Sequence, residues 1–154
     1  MIKSKLDVLD NIPLPALCLG TAGLIPFWGL AILIIISDPP MKNFAIQAKI
    51  TYGALILSFL GGIHWGVAAI NPKNVNWLSL SWGVTPTLVA WVALFLQPST
   101  GLIILLISFS AAAIIDYRVF DSNGDNAWFG KLRTILSIGA ITALLFTLSL
   151  GSFF

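Results

Sequence analysis

The residues with the strongest claim to chemistry are a histidine, an aspartate and an arginine set in otherwise apolar sequence: His64, Asp116 and Arg133. Histidine accepts, donates or carries a proton near neutral pH. A carboxylate beside an arginine makes a charge-assisted, bidentate contact. An ionisable group inside an apolar segment is costly to keep there and therefore marks a candidate functional site. Around His64 runs YGALILSFLGGIHWG, Tyr52–Gly66, which holds the only histidine of the chain. At 100° per residue, Ser58, Gly62 and Gly66 form a small-xxx-small stripe suited to close approach of another helix. His64 lies roughly 160° around from that stripe, on a face shared with Gly53, Leu57, Gly61 and Ala68. Ser58, Gly61, Gly62 and Gly66 are thus expected to be helix-packing positions, and the helix is expected to lie inside a bundle.

Composition says what must carry these residues. Of 154 residues, 58% are hydrophobic and 9% charged, and glutamate is absent. Ordinary soluble domains carry about 25% charged residues, so this chain cannot cover itself with a water-soluble surface. The net charge of +2 comes without a basic cluster, which excludes a nucleic-acid partner. Cys18 is the only cysteine, so no intrachain disulfide forms.

The expected fold is all-α: one polytopic integral membrane domain, residues 13–150, built as a five-helix transmembrane bundle. A tail, 1–12, precedes it and a short tail, 151–154, follows. Apolar runs place the spans at about 13–36, 44–70, 77–96, 102–117 and 130–150, each long enough for a ~30 Å hydrocarbon core. Pro26 and Gly29 are expected to kink the first span and Pro86 to break the third. The first span is too long for a signal peptide and is expected to be retained. Short polar connections make spans two and three, and three and four, antiparallel neighbours.

Lys3, Lys5, Lys73, Arg118, Lys131 and Arg133 fall on the N-terminal side of this layout, and Lys42 and Lys49 on the other. The positive-inside rule then puts the N-terminus in the cytoplasm of a bacterial inner membrane and the C-terminus outside. It also puts His64, Asp116 at the end of span four and Arg133 at the start of span five in one layer. The expectation is that Asp116 pairs with Arg133 and that His64 faces them. Trp128 belongs at the interface of this layer. Trp82 and Trp91 on span three could line a ligand pocket between spans two and three.

Other chemistry finds no support. Asp121–Asp125 begins like a calcium loop, but its glycine comes too early and Leu132 stands where a bidentate glutamate is needed. One histidine and one cysteine make no zinc site. No nucleophile–base–acid set can be assembled, so no enzymatic activity is expected.

Three segments together carry a resemblance: YGALILSFLGGIHWG at Tyr52–Gly66, PTLVAW at Pro86–Trp91 and WFGKLR at Trp128–Arg133, with Asp116 ending a span. They resemble an uncharacterised family of bacterial and mitochondrial membrane proteins, a domain of unknown function that includes transmembrane protein 69. The resemblance covers roughly residues 13–150. It implies a membrane fold and singles out His64, Trp65, Asp116, Trp128 and Arg133 without giving them roles. In size and span number the chain is also similar to tryptophan-rich tetrapyrrole-binding sensors, by architecture alone.

Three functional readings follow. The first is binding of a hydrophobic ligand or cofactor of unknown identity around His64: a pigment, quinone, tetrapyrrole or lipid. The second is a proton-coupled transporter or channel using His64 and Asp116. The third is an accessory or assembly subunit of a larger membrane complex. Beyond the lipid bilayer, the candidate partners are a hydrophobic small molecule, a second copy of the chain, or such a complex.

Overall fold

The computed structural model describes residues 12–70, 75–120 and 127–151. Among them the chain is helical: α1 (Leu14–Ala22), α2 (Ile25–Ile36), α3 (Met41–Ile70), α4 (Trp77–Ala93), α5 (Pro98–Phe120) and α6 (Ala127–Ser149). Apolar sequence in lipid must satisfy its backbone internally, and helices do so within each segment. Four stretches are long and apolar enough to cross a membrane: Leu14–Ile36, Met41–Ile70, Pro98–Phe120 and Ala127–Ser149. Many large apolar side chains face outward, among them Leu19, Ile36, Phe59, Ile70 and Ile107. The protein is a polytopic helical membrane bundle.

The break in the first span falls at Gly23–Leu24, not at Gly29. Pro26 sits in the first turn of α2, where its missing N–H costs nothing. The rod must therefore open one turn before it. The carbonyl of Gly23, at the break, accepts a hydrogen bond from the Tyr52 hydroxyl at 2.9 Å. Gly29 has open space around it.

Helix α3 is the centre. It packs on α2, α4 and α5, while α6 closes the ring against α5, α2 and α1. Helices α3 and α4 run antiparallel, with Trp65 opposite Leu80, Gly61 opposite Gly83 and Ser58 opposite Thr87. Helices α3 and α5 run parallel: Ile50 lies by Gly101, Gly53 by Leu105 and His64 by Asp116. Between them lies an apolar core in which Phe27 meets Tyr52 and Phe109 edge-on, with centroids 5.2 and 5.7 Å apart.

Several boundaries move relative to expectation. Pro86 is buried inside α4 without ending it. That helix starts at a capping box, in which the Asn76 side chain accepts from Ser79 N at 2.8 Å and the Ser79 hydroxyl answers the Asn76 N–H. It stops at Ala93, short of 96, because Leu94 and Phe95 turn tightly back onto the carbonyls of Trp91 and Val92. At 17 residues it is about 25 Å long, shorter than the ~30 Å core. Helix α5 continues through Phe120, and α6 already begins at Ala127, so Asp116 and Arg133 each lie a turn deeper than the expected span ends. The calcium-like Asp121–Asp125 stretch lies outside the described residues.

Candidate functional site

The site is built from three helices meeting about 9 Å from the end of α3. Face periodicity turns His64 inward with Gly53, Leu57, Gly61 and Ala68, all buried. The same periodicity on α5 aligns Leu105, Phe109, Ala112 and Asp116 inward. On α6, Arg133 shares its buried face with Ser137 and Ala140.

These three side chains form one connected group. His64 Nε2 lies 2.9 Å from Asp116 Oδ1. Arg133 Nε donates to Asp116 Oδ2 at 2.9 Å, and Arg133 Nη2 donates to the same oxygen. Relative exposure is 7% for His64, 2% for Asp116 and 6% for Arg133. Both carboxylate oxygens are thus engaged, and the guanidinium balances the carboxylate where water is scarce. Such a group is held by geometry: an isolated buried charge would cost several kcal/mol, roughly what good pairing returns.

An aromatic chain covers the group. The His64 ring lies 5.5 Å from Phe120, Phe120 lies 5.0 Å from Phe129, and Phe129 lies 5.6 Å from Trp128, centroid to centroid. Trp128 therefore reaches the site through two phenylalanines that sequence reasoning did not single out. Their signal was position: both border the polar segment between α5 and α6.

Two clefts flank the group. One, of about 380 Å³, opens between α3, α4 and α5, with His64, Ala68, Ser79, Trp82, Ile115 and Val119 on its wall. The other, of about 150 Å³, lies between α1, α2, α3 and α6 and reaches Arg133 and Ser137. Of the expected site residues, His64, Asp116, Arg133 and Trp82 come together here.

Trp65 and Trp91 do not. Trp65 is half exposed and clamps α3 to α4, its indole N–H donating to the Leu80 carbonyl at 3.1 Å. Trp91 is exposed and stacks edge-on against Phe95 at the far end of α4. The packing stripe also needs correction. Gly62 and Gly66 face outward with nothing within 4 Å of an added Cβ. The close approach belongs to Gly61, where a Cβ would collide with the Gly83 carbonyl. Ser58 contributes a hydrogen bond, accepting from Thr87 Oγ1 at 3.2 Å.

A second buried polar point was not foreseen. Lys49, placed by sequence among the loop-side lysines, has 0% exposure. Its Nζ donates to the Ala143 carbonyl at 3.0 Å and to Thr147 Oγ1. The signal was available: Lys49 falls four residues before Gly53, on the inward face that carries His64.

This arrangement defines a class: a small helical membrane protein with a buried His–Asp–Arg group beside an apolar cleft. The family described as "Protein of unknown function (DUF3429)" matches residues 12–149, and the chain belongs to it. Transmembrane protein 69 of Xenopus tropicalis is 33% identical over 146 residues, 94% of this chain and 57% of that protein. Transmembrane protein 69 of Mus musculus is 27% identical over 154 residues, 99% of this chain and 62% of that protein. The chain thus spans about three fifths of the length of these relatives. No solved structure matches it.

Proposed function

We propose that the protein is a non-enzymatic binder of a hydrophobic small molecule, held between α3, α4 and α5 against His64. The observation that carries this reading is the cleft of about 380 Å³ whose wall is apolar except for a few polar groups, one of them the nearly buried imidazole. Apolar walls with a few convergent polar groups are what small-molecule sites share. The proton-coupled alternative has less support, since both oxygens of Asp116 are already committed to His64 and Arg133.

In the same proposal the chain sits in a bacterial inner membrane with its N-terminus in the cytoplasm. The support for the orientation is the charge asymmetry: with buried Lys49 and buried Arg133 both set aside, Lys3, Lys5, Lys73, Arg118 and Lys131 lie on the N-terminal side and Lys42 on the other. A reporter on the C-terminus should be active outside; activity in the cytoplasm would overturn the orientation.

The ligand reading is tested on protein purified in mild detergent, by absorbance and native mass. Wild type should carry an adduct or chromophore that His64→Ala lacks. Val119→Trp, which fills the cleft from an exposed position, should lose it while leaving the buried group intact. An adduct-free wild type, or an adduct that survives both substitutions, would overturn the reading.

A further inference from the structure

The hydrogen bonding around His64 restricts what the cleft can hold. Asp116 Oδ2 receives two N–H groups of Arg133, which marks the carboxyl as an ionised acceptor. Its other oxygen lies 2.9 Å from His64 Nε2, so that nitrogen carries the proton and donates it. The guanidinium already balances the carboxylate, so a neutral imidazole completes the group without adding a buried charge. In a neutral imidazole with its proton on Nε2, Nδ1 is a bare lone pair. Nδ1 makes no hydrogen bond among the described residues; since no buried side-chain nitrogen or oxygen there lacks a partner, Nδ1 keeps some open surface, and His64 stands on the cleft wall.

Another polar group on that wall is already committed. The Ser79 hydroxyl donates to the Asn76 carbonyl at 3.0 Å. Trp82 adds a flat aromatic surface, suited to contact with a ring. A buried acceptor penalises any occupant that cannot donate to it.

We infer that the cleft selects an apolar molecule bearing a hydroxyl, such as a phenol with an alkyl tail, which donates to His64 Nδ1. Molecules of the same shape that can only accept, such as ethers and carbonyl compounds, are disfavoured. This inference rests on the cleft being a binding site at all, and the two can fail separately.

The probes are para-octylphenol and its methyl ether, with binding read by native mass spectrometry. In wild type the phenol should bind about tenfold tighter than the ether, the equivalent of one buried hydrogen bond. In His64→Phe the two should bind alike. In the double variant Asp116→Asn, Arg133→Gln the amide can donate to Nε2 and move the imidazole proton to Nδ1, and the preference for the phenol should be lost. Equal binding of both probes to wild type, abolished in both cases by Val119→Trp, would overturn the hydroxyl selectivity and leave the cleft as a site. Binding of neither probe, or binding insensitive to Val119→Trp, would overturn the cleft and the selectivity together.

Discussion

Lys49 and His64 lie on one helix, fifteen residues apart, and both are tied to α6. Lys49 reaches it directly at Ala143 and Thr147; His64 reaches it through Asp116 to Arg133. The two points are about 22 Å apart along α3. Between them the inward face of α3 packs through apolar contacts with Phe27, Leu105 and Phe109 around Leu57, while Tyr52 and Ser58 bond sideways to the end of α1 and to α4. The central helix is thus fixed in depth and rotation by a polar clasp near each end, while van der Waals packing fills the middle.

Breaking the lower clasp should be expensive in one direction only. Arg133→Met leaves Asp116 as an uncompensated buried carboxylate, and a loss of about 3–5 kcal/mol is expected. The double variant Asp116→Leu, Arg133→Met removes both charges and should recover most of it. Denaturant unfolding in detergent micelles reads both. Equal losses in single and double variants would show that the pair is not what stabilises this layer.

The upper clasp should behave differently, because Lys49 has only neutral partners among the described residues. Lys49→Met keeps the stem volume and removes a buried donor, so stability should be unchanged or raised. Thr147→Val keeps the lysine and takes one acceptor away, at a cost of about 1–3 kcal/mol. Thermal unfolding of the two variants side by side should order them with Lys49→Met the more stable.

Glycine substitutions should separate the packed face of α3 from the open one. Gly61→Ala meets the Gly83 carbonyl and should cost about 1–3 kcal/mol by overpacking. Gly62→Ala and Gly66→Ala meet nothing and should stabilise by up to about 1 kcal/mol through helix propensity. Unfolding midpoints for the three single variants check this, and a destabilised Gly62→Ala would contradict the assigned face.

The contrast explains what could be read from sequence. The helical membrane bundle and the layer of His64, Asp116 and Arg133 were legible because apolar runs are long and charged groups within them are rare, whereas the third expected span is a 17-residue helix that falls outside the four stretches long and apolar enough to cross a membrane. Which face of α3 turns inward was only half legible. The 100° periodicity correctly grouped His64 with Gly53, Leu57 and Gly61, yet small-residue spacing alone could not tell that the Gly62–Gly66 edge faces outward. Lys49 was misplaced because a lysine near a span end is usually assumed to snorkel to the interface. Here its neighbours Ala45 and Gly53 turn inward with it, and a threonine on α6 receives it. Trp65, Trp82 and Trp91 look alike in sequence; their roles depend on helix pairings that only tertiary structure decides.

Tyr52 supplies a final test. Tyr52→Phe removes the hydrogen bond to the Gly23 carbonyl while the ring keeps its edge contact with Phe27. A loss of about 1 kcal/mol is expected, with faster hydrogen exchange confined to the backbone around the α1–α2 break. Exchange accelerated across the whole bundle would show that the tyrosine has a wider role.

The placement of Asp116 and Arg133 on consecutive helices bears on how the chain enters its membrane. An aspartate or an arginine delivered alone to the centre of a span is penalised at insertion. Seventeen residues apart on one hairpin, the two can meet before either is committed to lipid, and the hairpin arrives as an electrically neutral unit. His64, made earlier and already waiting on α3, needs only to dock onto a carboxylate whose charge is already balanced. Insertion as a hairpin would spare this pair a bare charge in hydrocarbon, whereas Lys49 on α3 has to wait for its acceptors on α6.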